Sequence, residues 1–188
     1  AKLHFDTVEL SRELGQLDSQ INSLKYFIGN NSQLPNDIYQ ELRAQYPLAV
    51  NVNTCTIDTC AIGRAMDQRF TWTRDILSSG KSQSLFEVRD FWNSRIGDCD
   101  DFAFFASAWM RSEVNRLQTE NKCSKVRIRM GVPQSQGRPG SYQCGTTGDT
   151  TIPITDKEHI LMMCGGYNSG SGHCVVGASS KDPQQYYN

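Results

Sequence analysis

The stretch that follows Gly97-Asp98-Cys99-Asp100-Asp101 constrains this chain more than any other. Phe102, Phe105, Ala106, Trp109, Glu113 and Leu117 fall on or near one face of a single helix. A stripe of that size requires burial, so the fold must be built around this helix. Its start is equally legible. Asp98 is suited to be the N-cap and Asp101, three positions on, its capping-box partner, which makes Cys99 the first helical residue. There the free N–H groups and the positive end of the helix dipole stabilise a thiolate. Asp98, Asp100 and Asp101 favour the neutral thiol. A thiol so placed points to nucleophilic chemistry, provided an imidazole stands near it.

The elements after the helix are predicted to be strands. Lys125-Val126-Arg127-Ile128-Arg129-Met130-Gly131-Val132 alternates polar and apolar, as a half-buried strand does. A loop rich in Gly, Ser, Thr and Pro is expected from Pro133 to about Lys157, long enough to border a functional cleft. His159–Cys164 and His173–Ala178, joined by a glycine-rich turn, read as a hairpin. If Cys164 lies across from Cys174, antiparallel register puts His159 opposite Ser179.

Upstream, Leu10, Leu14, Leu17, Ile21, Leu24 and Ile28 recur in steps of four and three, with Leu3 one heptad earlier. Residues 1–30 are therefore expected to form a helical extension, with 31–188 as the main domain. The apolar seam over residues 3–28 suits docking onto a partner helix as well as packing on its own domain. A shorter helix is expected from Leu34 to Tyr46, stopped by Pro47, then an extended segment within Ala49–Thr59 and a loosely helical Ala61–Ile76. Asn30-Asn31-Ser32 is a glycosylation sequon, meaningful only in an exported eukaryotic chain. Gly80-Lys81-Ser82 lacks the upstream glycine and strand of a phosphate-binding loop.

The chain has 19 basic and 20 acidic side chains, a formal charge of -1. No global field recruits nucleic acid or an acidic lipid surface, and no apolar stretch is long enough to span a bilayer. Of the seven cysteines, setting Cys99 aside leaves Cys55, Cys60, Cys123, Cys144, Cys164 and Cys174. Six thiols allow three disulfides of open connectivity, and equally six buried free thiols. Zinc at Cys55 and Cys60 lacks a second ligand pair at close spacing. The start, Ala1-Lys2-Leu3-His4, has neither Met nor a signal's apolar core, as expected after removal of a leader or an initiator Met. An exported, cell-surface or virion-associated setting is the expectation.

Ile96-Gly97-Asp98-Cys99-Asp100-Asp101-Phe102-Ala103, with Asp90-Phe91-Trp92 just upstream, resembles the nucleophile motif of the transglutaminase-like superfamily, closest to its bacterial cysteine-proteinase branch. The resemblance spans roughly Leu85 to Ala178 and is specific around Cys99. It implies an α+β fold with a papain/transglutaminase-like core, a cysteine-bearing helix packed on a small antiparallel sheet. It also implies thiol-dependent acyl transfer or amide hydrolysis on a protein or cell-wall peptide.

In that scheme Cys99 is the nucleophile and His159, which begins a strand, the general base, with His173 as the alternative. The Trp92 indole helps the helix-start N–H groups to hold an oxyanion. The family pattern ends the next strand with an Asp, where this chain has Val176-Gly177-Ala178. Asp182 is then the nearest carboxylate, with Ser179 and Asn188 as weaker orienters. No cofactor is required, although calcium on Asp98, Asp100 and Asp101 follows from the branch. The competing expectation is a non-catalytic structural or attachment subunit of a larger assembly, retaining the peptidase-like fold and docking through its N-terminal helix. A disulfide-stapled binding module is the third.

Overall fold

The computed structural model of the chain describes residues 2–4, 26–27, 33–73, 88–130, 132–133, 142–143, 150–166 and 172–181. Within them the protein is α+β. The helices are α1 (Asn36–Gln45), α2 (Thr59–Arg69), α3 (Val88–Ser94) and α4 (Cys99–Thr119). The 21 residues of α4 span about 31 Å. Phe102, Phe105, Ala106, Trp109, Glu113 and Leu117 are all buried, and so are most residues on the other faces, which makes α4 the central helix of the fold.

Two four-stranded sheets pack on α4. The first has the order β1 (Lys2–His4), β12 (Gly172–Ala178), β11 (Ile160–Gly166), β2 (Tyr26–Phe27). The second runs β10 (Thr150–Ile154), β7 (Val126–Met130), β4 (Thr56–Asp58), β3 (Val50–Asn51). Two short pairs complete the set: β5 (Thr71–Trp72) with β6 (Ile96–Gly97), and β8 (Val132–Pro133) with β9 (Tyr142–Gln143). Each large sheet contains one parallel pair, β1 with β12 and β4 with β7. A single small antiparallel sheet is thus not the observed arrangement.

The hairpin register is the expected one. Cys164 stands opposite Cys174, and Ser179 N–H donates to the His159 carbonyl at 3.1 Å. The ends of the segment expected to be a helical extension differ from expectation. Lys2–His4 and Tyr26–Phe27 pair with the two edges of this hairpin, whose outward N–H and C=O groups are open to added strands. Leu10, Leu14, Leu17, Ile21, Leu24 and Ile28 lie outside the described residues, as do Asn30–Ser32 and Gly80–Ser82. The expected loop from Pro133 to Lys157 contains β10, paired along its whole length with β7. The expected helix through Ile76 stops at Arg69 and continues as β5.

A buried polar knot joins α1 to the middle of α4. Glu113 accepts hydrogen bonds from Tyr39 Oη at 2.8 Å, from Trp109 Nε1 at 3.3 Å, and from Arg116 Nε and Nη2 at 3.1 and 2.9 Å. Every oxygen of the buried carboxylate is therefore matched, which burial of a charge demands. Nearby, Leu34 N–H donates to Ser112 Oγ at 2.9 Å. Cys55 and Cys123 form a disulfide that ties the entry of β4 to the entry of β7. Cys60 is also disulfide-bonded, so the Cys55/Cys60 pair is no zinc site.

Candidate active site

Gly97 shapes the approach to Cys99. A Cβ there would lie 2.7 Å from Asp101 Cβ and Oδ2 and 2.8 Å from Phe91, distances no side chain tolerates. The bare backbone lets Asp101 fold back so that its Oδ2 accepts the Asp98 N–H at 3.1 Å, the predicted capping arm. The strand before it is held from the side. Thr71 N–H donates to Arg95 O at 2.8 Å and Thr73 N–H to Gly97 O at 2.7 Å. Cys99 is consequently the first residue of α4, as expected.

The thiol is half-buried and is the one free cysteine among the described residues. It packs against a small buried cluster of Ala103, Met162 and Cys174, beside Phe104. Burial pushes its pKa up, and the charges of Asp98 and Asp100 push the same way. A hydrogen bond from the Cys174 backbone N–H opposes them without reversing the sum. The resting group is a neutral thiol that already faces one backbone donor.

His159 is not brought to Cys99. It is 7 % exposed, and both ring nitrogens are engaged elsewhere. Nδ1 lies 2.7 Å from the Ser179 carbonyl, which only accepts, so Nδ1 carries the proton; Nε2 faces Thr155 Oγ1 at 3.1 Å. Its end of the hairpin rests on the far half of α4. Arg111 Nη2 donates to Ile160 O at 2.7 Å, and the Gln118 amide donates to Thr155 O. Arg111 is about 18 Å along the helix from Cys99, and Gln118 about 28 Å. Register gives the same result, since His159 faces Ser179, about 17 Å along β12 from Cys174.

The other strand end lies at the thiol. β12 begins beside the start of α4, and His173 immediately precedes Cys174, whose N–H meets Cys99. Asp182 and Asn188 lie outside the described residues. Trp92 is buried under the Arg69 guanidinium, 3.4 Å from its ring centroid, and stacks on Phe105 at 6.0 Å. Phe105 is about 9 Å along the helix from Cys99, and this stack gives Trp92 a packing role.

Asp98, Asp100 and Asp101 offer oxygens that all lie within 4.8 Å of one another. Asp98 Oδ1 is buried without a hydrogen-bond partner, a vacancy that a cation's charge would suit. Other oxygens of the trio serve the helix start, Asp101 Oδ2 toward Asp98 N–H and Asp100 Oδ1 toward Asp101 N–H at 2.9 Å.

Trp72 was hidden in the stretch read as loosely helical. It is 54 % exposed and pairs in register with Gly97, so an aromatic surface borders the approach to Cys99. Its signal was the β-rich run Phe70-Thr71-Trp72 after Arg69. Comparison of the chain with protein-family models, with curated proteins and with solved structures gave no match.

Proposed function

We propose that this protein carries out thiol-dependent acyl transfer or hydrolysis on an amide of a protein or cell-wall peptide, with Cys99 as nucleophile, in the manner of the transglutaminase-like cysteine peptidases that its motif resembles. The observation that carries the reading is a free, half-buried thiol at the first residue of a buried helix, with the Cys174 N–H directed at its sulfur. His173 is taken as the base on its backbone position alone, next to Cys174 at the strand end beside Cys99, whereas His159 is bonded to Ser179 and Thr155 beside the far half of α4.

In this mechanism the imidazole of His173 takes the thiol proton as sulfur attacks the amide carbon. N–H groups of the helix start hold the developing oxyanion. The imidazolium then protonates the leaving amine as the C–N bond breaks, leaving a thioester. Water or a second amine resolves it, which distinguishes hydrolysis from transfer. The exposed Trp72 ring offers the substrate a face to lie on. The three aspartates are suited to hold calcium, whose charge would offset theirs beside the thiol.

The test is release of amine from an unfolded protein and from cell-wall peptides by the wild type, Cys99→Ala, His173→Ala and His159→Ala. Loss of at least about 1,000-fold in Cys99→Ala and His173→Ala, with turnover kept in His159→Ala, is the expected pattern. Full turnover by Cys99→Ala overturns it. The non-catalytic attachment reading has one observation in its favour, the commitment of His159 to Ser179 and Thr155. No turnover by the wild type, together with a Cys99 that iodoacetamide leaves unlabelled up to pH 9, would select that reading.

A further inference from the structure

Cys99 has a second sulfur for a neighbour. Cys174 is disulfide-bonded, is 5 % exposed, and belongs to the same buried cluster against which the free Cys99 packs. Its backbone N–H also holds the Cys99 sulfur at this point of β12. On this side the packing is apolar, Ala103 and Met162 both being fully buried. Thiol–disulfide exchange requires a free thiol next to a disulfide-bonded cysteine, and Cys99 packs in the cluster that holds one.

We infer that Cys99 and the Cys174 disulfide form an intramolecular exchange pair that latches the candidate nucleophile. The Cys99 thiolate attacks Cys174 Sγ, a Cys99–Cys174 bond forms, and the bond from Cys174 to its present partner breaks. The partner leaves as a thiolate and takes up the proton that Cys99 released. One disulfide is exchanged for another, the number of free thiols stays at one, and no oxidant or reductant is consumed. The backbone register names the first candidate for the released sulfur. Ser179 donates to His159 O, so the ladder alternates to make Cys164 and Cys174 a non-hydrogen-bonded pair, the position where Cα atoms approach to about 4.5 Å.

The latch would withdraw the thiol from any substrate and return it when the released cysteine attacks back. It concerns the same sulfur as the proposed function but does not depend on amide chemistry, and its test uses no substrate.

The experiment holds the native full-length protein at pH 8 for hours, quenches samples in acid, and maps linked peptides after a non-reducing pepsin digest. A Cys99–Cys174 peptide rising to a plateau is the expected result, with a matching loss of iodoacetamide-labelled Cys99 and an equal gain of one newly labelled cysteine. Cys55–Cys123 stays intact throughout. In Cys99→Ser the disulfide of Cys174 stays unchanged. A map in which Cys99 remains free at every time point overturns the inference. So does exchange that also scrambles Cys55–Cys123, because that pattern belongs to unfolded chains.

Discussion

The Glu113 knot and the first turn of α4 treat buried polar groups in opposite ways. Around Glu113, Tyr39, Trp109 and Arg116 supply donors to both carboxylate oxygens. Burial and the neighbouring carboxylate hold the Tyr39 phenol protonated well beyond its ordinary range. In the first turn Asp98 Oδ1 is buried without a donor, and Cys99 is pushed toward its neutral form by burial and by two carboxylates. A closed set of partners leaves nothing for a ligand to add, and is what a fold uses to fix register. An open set leaves groups whose state a substrate proton, a cation or a sulfur can still change.

The contrast can be broken experimentally. Glu113→Ala should cost the most, about 3–5 kcal/mol in urea unfolding, because it strands the buried Arg116 and the Tyr39 hydroxyl. At temperatures where the variant remains folded, Cys99 labelling should be unchanged; a changed rate would show that the two ends are coupled. Gly97→Ala should cost about 1–3 kcal/mol, since its Cβ meets Asp101 and Phe91. Unlike the first variant, it should alter Cys99 labelling. An unaltered rate would detach the cap from the thiol.

Alkylation of wild-type Cys99 should rise with pH through a midpoint above the ordinary thiol range, reflecting burial first and then Asp98 and Asp100. Asp98→Asn and Asp100→Asn should each move it to lower pH, and added calcium should do likewise if the trio binds it. A wild-type midpoint below the ordinary thiol range would reverse this account. The sign for stability follows. With the folded pKa raised, stability is full below the unfolded thiol pKa and declines as pH climbs from there through the folded value, and Cys99→Ser should flatten that decline.

The smallest effect is expected at the exposed Arg89–Asp37 pair, despite contacts of 2.8 and 3.0 Å. Its side-chain hydrogen bond lowers the Asp37 pKa, so any contribution is present above the unfolded carboxyl pKa and fades as pH falls through the folded one. Arg89→Ala should leave the urea midpoint at neutral pH unchanged.

Local chemistry was legible in the sequence and long-range direction was not. Asp98, Asp101 and the apolar stripe specify where α4 starts and that it is buried, and the two cysteines of the hairpin specify its register. The same logic favours His159 over His173, because both are expected to begin strands and nothing in the chain's spacing says which strand end meets Cys99. That depends on β12 running parallel to α4, a tertiary relation that brings Cys174 to the thiol and carries His159 away. β10 was obscured by Pro153, which argues against a strand until one sees that β10 is an edge, where a missing N–H is tolerated. Trp92 enters the sequence reading through the family resemblance as an oxyanion donor; what the chain did not reveal is that its ring packs between Arg69 and Phe105.

The disulfide between Cys55 and Cys123 closes a covalent ring of 68-residue separation. By chain-entropy reasoning a ring of that size is worth about 4 kcal/mol against the unfolded state. The ring contains all of α4 and therefore Cys99, whereas the hairpin bearing Cys174 lies outside it. A protease that cuts once inside the ring releases no fragment and loses no strand of the outer hairpin. A cut there would add one water to the mass and leave the two pieces joined until the disulfide is reduced.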